Sequence, residues 1–158
     1  MLAVEFTRVV VAVHVMAVVA GLGVLFAYPV LLPWLRRNHP RAMPAVHAAQ
    51  ERLDKLLISP ALVVIFAAGV YLASKQDVWS KVWVSVPLVI LVVLGGLGGA
   101  FFTPNERKLA ELARRDLQHG DELSAEYDAL FSRVATVGLV AALLVLVAIF
   151  FMVVKPGA

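Results

Sequence analysis

The chain contains no cysteine. Disulfide scaffolds, thiolate metal sites, iron–sulfur clusters and cysteine nucleophiles are therefore excluded together. Charge is scarce as well: 16% of the 158 residues are Asp, Glu, Lys or Arg, against about 25% in an average soluble domain. That shortage disfavours a soluble enzyme, a disordered chain and a nucleic-acid binder. No Ser-His-Asp arrangement and no P-loop is present, and no pair of carboxylates stands out as catalytic.

What fills the sequence instead is apolar. Hydrophobic residues make up 61% of the chain, and the mean hydropathy is +0.88. Four runs, residues 9–35, 56–73, 82–102 and 134–154, contain no Asp, Glu, Lys or Arg. A hydrocarbon core of about 30 Å needs about 20 helical residues. Each run meets or approaches that length, so the expected fold is all-α, an integral membrane four-helix bundle forming a single transmembrane domain. Val18-Val19-Ala20 resembles a cleavage site, but the first run continues to Leu35, well past the apolar region of a signal peptide. It is read as a span.

The basic residues predict orientation. Ten of the 14 Lys and Arg lie between runs one and two (Arg36, Arg37, Arg41, Arg52, Lys55) or between runs three and four (Arg107, Lys108, Arg114, Arg115, Arg133). Arg8, Lys75, Lys81 and Lys155 remain for the other side. The positive-inside rule puts both long connections in the cytoplasm of a bacterial inner membrane and both termini in the periplasm or outside. Trp34, Trp79, Trp83 and Tyr71 fall at the expected interfaces.

Both connections read as helical extensions. From Pro44, a helix can run through the i, i+4 pair Glu51 and Lys55 into the second span. Thr103-Pro104-Asn105-Glu106 has the pattern of a capping box opening an amphipathic helix over 104–119, with Leu109, Leu112, Ala113 and Leu117 at helical spacing. That helix either extends the third span or lies on the membrane. His119-Gly120 closes it, and Asp121 is a candidate cap for the next. Pro29, Pro33, Pro60 and Pro87 predict kinks.

His14 is the one histidine inside a predicted span. Intramembrane ionisable groups usually face a bundle interior. His14, Gly21 and Tyr28 are seven apart and share a helix face. Three roles are open for His14: a neutral imidazole bonded to another helix, a haem ligand, or a metal or proton-transfer group. Met152, Tyr71 and Lys81 lie at a matching depth, whereas His39, His47 and His119 belong to the basic side. His39 and His47, with Arg36, Arg37 and Arg41, read as a solvated turn, or else as a group that meets anionic lipid headgroups or an anionic ligand. Gly95 and Gly99 give a small-xxx-small face for close helix packing, as Gly21 does on the first helix. Glu106, Glu111, Asp116, Asp121, Glu122, Glu126 and Asp128 read as one solvated, mixed-charge face.

The stretch His14-Val15-Met16-Ala17, the glycines after it and Tyr28-Pro29 resemble the first helix of small bacterial membrane proteins of the copper-resistance D type and of the haem-binding protoporphyrinogen oxidase J type. The four-helix plan is similar to that of predicted integral membrane proteins of unknown function with the same layout. The resemblance implies haem b as a possible cofactor, with His14 at the position of the haem-binding histidine. The expected role is an accessory inner-membrane protein without catalytic residues of its own. It would be partnered by the lipid bilayer and by a membrane protein or a second copy. The alternatives are a haem-b membrane oxidoreductase using His14 and a small transporter or transporter subunit. A transport path would draw on the few polar residues in the spans: His14, Ser59, Ser85 and Thr136.

Overall fold

The computed structural model describes residues 2–157, with side chains from Glu5 onward. The described residues form no strand; apart from short connections they are helical, in four long rods. Rod one comprises α1 (Leu2–Leu22), a tight 3₁₀ stretch (Gly23–Phe26) and α2 (Tyr28–Asn38). A 3₁₀ turn over Pro40–Ala42 leads into rod two, which holds α3 (Met43–Leu53), a π turn (Asp54–Ile58) and α4 (Ser59–Gln76). Rod three is α5 (Val82–Leu97), a second π turn (Gly98–Phe102) and α6 (Thr103–His119), and rod four is α7 (Ala125–Val154). All four are long and apolar enough to cross a membrane.

The helix over 104–119 therefore continues the third rod. Thr103 is not an N-cap: its backbone is helical (φ −52°, ψ −50°), and its hydroxyl donates to the carbonyl of Gly98 at 3.0 Å. The expected capping box does not form, because a helix without a break has no orphan N–H for it to satisfy. α7 is capped by Ser124, whose Oγ accepts from the N–H of Tyr127 at 3.3 Å, and not by Asp121. Asp121 is instead paired with Arg41.

The prolines explain the π turns. A proline ring clashes with the carbonyl four residues back and offers no N–H. At Pro60 and Pro104 the helix widens just upstream. Ser59 N–H then reaches Asp54 O, and Thr103 N–H reaches Gly98 O, each five residues back. The amide of Asn105 donates to Phe101 O at 2.7 Å, satisfying another carbonyl beside the second turn. Pro87 lies inside α5, with no change of helix type there.

Packing differs at the two ends. At one end α1 pairs with α4 and α5 with α7 around Leu22, Ile65, Ile90, Leu94, Ala141 and Val145. At the basic end α3 packs on α6, and α2 meets α7 around Met43, Leu109, Ala113, Tyr127 and Phe131. Ion pairs tie the basic end together. Arg36 Nε donates to Asp128 Oδ1 at 2.9 Å, and Arg107 Nε to Glu51 Oε1 at 2.8 Å. The anticipated Lys55–Glu51 pair closes at 2.7 Å.

Glycine roles divide sharply. A Cβ on Gly21 would lie 2.2 Å from the Ala61 Cβ, so α1 and α4 cross at a point that leaves no room for a methyl group. A Cβ on Gly95 or Gly99 would meet no described atom within 4 Å. Among the described residues no close approach is made at that face, and the buried side of α5 carries Ile90 and Leu94 instead.

Gly21→Leu should accordingly lower stability by about 1–3 kcal/mol through overpacking, and Gly95→Leu should leave it unchanged. Thermal unfolding of the detergent-purified variants checks this. Pairing Gly21→Ala with Ala61→Gly should recover most of the loss of Gly21→Ala alone.

Candidate functional site: two interior cavities

Two partly open cavities between the rods meet at Leu22 and Leu94, which line both. These leucines are 5% and 8% exposed, so the division is a packed apolar plug.

The first cavity, about 310 Å³, lies between α1, α4, α5 and α7. Its walls are apolar, with His14, Trp79, Pro87 and Met152 among them. His14 is half-buried; its ring lies 3.6 Å from where a Gly69 side chain would begin, and Ile65 is its backbone hydrogen-bonding neighbour. Nδ1 has no partner among the described residues. His14 and Met152 thus share a cavity. Tyr71 stacks edge-on against Phe6 at 5.7 Å, and Lys81 donates to Gly157 O at 3.3 Å. Neither lines this space.

The second cavity, about 80 Å³, sits at the level of the two π turns. Tyr28, His47, Gln50, Asp54 and Glu106 bring polar atoms to it within a wall of Leu25, Leu32, Ile58, Phe102 and their neighbours. His47 is 2% exposed, not a solvated turn residue. Its Nδ1–H donates to Gln50 Oε1 at 2.9 Å, and the Tyr127 hydroxyl donates to its Nε2 at 2.8 Å. Gln50 Oε1 can only accept, which places a proton on Nδ1, and burial favours the neutral ring. Thr103 Oγ1, whose one hydrogen is shared between Gly98 O at 3.0 Å and Asp54 Oδ2 at 3.1 Å, joins the two π turns.

Glu106 corrects the sequence reading most. It was expected on a solvated face, yet it is 6% exposed and its Oε2 has no partner among the described residues. The Tyr28 hydroxyl is buried without a partner too. The signal was in the spacing. Glu106 stands three residues before Leu109 and seven before Ala113, on the buried stripe of α6. His47 and Gln50 likewise follow Met43 at i+4 and i+7.

The other polar candidates lie outside both cavities. His39 packs its ring on Trp34 at 5.2 Å, and His119 contacts Arg115 O at 2.9 Å on the surface. Ser85 and Thr136 donate to their own helices, at Lys81 O and Ser132 O. Among the described residues, no three His, Asp or Glu side chains come together in a way that could hold a metal ion.

Four apolar rods around interior cavities define an integral membrane protein of the helical-bundle class. The chain belongs to the family described as predicted integral membrane protein (DUF2269), whose match extends over residues 8–156. No curated protein and no solved structure matches it.

Tyr127→Phe should cost about 1–3 kcal/mol, because it removes the donor to a buried imidazole. His47→Leu and Tyr127→Phe should be strongly non-additive when combined. Denaturant unfolding in mixed micelles measures both.

Proposed function

We propose that the protein is an accessory component of the bacterial inner membrane, acting through its bundle and its partners without catalysis of its own. The supporting observation is how little of each rod the chain itself covers. Between 11% and 22% of the most apolar window of each rod is buried. Leu139, Val140, Leu143, Leu146, Phe150 and Val153 leave a long apolar face on α7. Lipid covers such a face by default, and a membrane partner or a second copy can replace lipid there. In this reading the basic connections lie in the cytoplasm, near anionic headgroups, and both termini lie outside. Reporter fusions within residues 36–41 and 114–120 should report the cytoplasm, and fusions within 75–81 and after 155 the periplasm. The opposite pattern would reverse the orientation.

One observation favours a second reading. The unpartnered Nδ1 of His14 borders a cavity of about 310 Å³, at the lower end of the about 300–1,000 Å³ range of small-molecule sites. Neutral imidazole in that position suits a haem b iron, as the resemblance of the first helix implies. Wild type would then show a Soret band that His14→Ala lacks while still folding. A colourless wild type leaves His14 structural. Transport is the least supported reading: a path would have to pass the Leu22–Leu94 plug, and Ser85 and Thr136 bond to their own helices.

A further inference from the structure

The chamber between the π turns contains acids and no base to match them. Glu106 and Asp54 both line it, and no Lys or Arg does. The basic residues nearby are engaged at the rim: Arg36 with Asp128, and Lys55 and Arg107 with Glu51. His47 does not supply the cation, since at 2% exposure desolvation disfavours its charged form. Two polar atoms, Glu106 Oε2 and the Tyr28 hydroxyl, are buried without partners. Orphaned buried polar groups cost free energy unless a guest satisfies them.

The guest has to supply what the walls lack. Two acids disfavour an anion. A metal ion would need more donors than the described residues bring together. A group with several N–H donors and a positive charge fits the remaining chemistry, and the apolar wall suits a short hydrocarbon stem. The cavity of about 80 Å³ is several times the roughly 10–15 Å³ that one water requires.

We propose that this chamber binds the ammonium group of a primary amine. Glu106 and Asp54 accept two of its N–H donors, and the Tyr28 oxygen accepts the third. Asp54 is held in place for this by Thr103, and Glu106 by the helical register that follows the second π turn. The amine is either a free alkylammonium or the ethanolamine headgroup of a lipid, since both present the same donors.

The test uses the full chain in detergent. n-Butylammonium is titrated against tetramethylammonium, which has the charge but no N–H, and n-butanol, which has neither. The expected result is a saturable rise in Tm with n-butylammonium alone. Its apparent affinity should fall at least tenfold in Glu106→Gln and also weaken in Tyr28→Phe, and it should be unchanged in the surface variant Glu111→Gln. No saturable rise in wild type, equal rises with all three solutes, or undiminished binding in Glu106→Gln would overturn the proposal. If Glu106→Gln does not fold, the three wild-type titrations and Tyr28→Phe decide. Nanodiscs separate the two sources. A higher Tm in phosphatidylethanolamine than in phosphatidylcholine, with little further gain from n-butylammonium, identifies the headgroup. An equal gain from n-butylammonium in both lipids identifies a free amine.

Discussion

A backbone in hydrocarbon has to satisfy its own hydrogen bonds, including where proline has removed a donor. Rods two and three meet that constraint in the same way. Each places a Ser/Thr-Pro pair, Ser59-Pro60 or Thr103-Pro104, directly after a five-residue π turn. The wider turn relieves the clash of the ring and keeps the helix continuous. It also shifts the angular register of everything that follows. In rod three the stripe of Glu106, Leu109 and Ala113, set by the spacing within α6, turns with that shift as one unit. In rod two it leaves Asp54 at the mouth of the turn, where Thr103 reaches it.

The polar layer created there organises the basic half of the molecule. Exposed ion pairs such as Arg41–Asp121 contribute little, about 0–1 kcal/mol each. The buried contacts of His47 with Gln50 and Tyr127 act in low dielectric, where a lost partner is costly. They join rod two to rod four, and Thr103 joins rod two to rod three. The other half relies on close approach, as at Gly21 and Ala61, around a more open apolar cavity. The bundle is thus tight and polar at the basic end and looser and apolar at the other. Leu22 and Leu94 separate the two environments.

Much of this architecture was legible in the sequence because hydrocarbon imposes a long, uninterrupted apolar signal. The four rods, the helical connections and the Glu51–Lys55 pair all follow from run length and local spacing. The interior of the basic end was not legible on those grounds. His47 and Glu106 lie beyond the apolar runs, in segments whose charges suggest solvent. They are buried because α3 and α6 both outlast the spans and pack on each other, a tertiary fact that neither segment carries alone. The Thr103–Glu106 spacing matched a capping box, but that pattern presumes a helix start, and the π turn removed the start. Gly95 and Gly99 matched a packing motif, yet a Cβ at either would meet no atom of the described residues within 4 Å. A small-residue stripe states what a face permits and does not state what approaches it.

The absence of cysteine makes the inward placement of Glu106 directly measurable, since any introduced thiol reports alone. Glu106→Cys and the exposed control Glu111→Cys can be compared for maleimide labelling in detergent, before and after denaturation in SDS. The account predicts that the thiol at 106 is protected in the folded protein and labels only on unfolding, while the thiol at 111 labels in both states. Equal labelling of the two positions in the folded protein would contradict the interior polar chamber and the role assigned to the π turns in forming it.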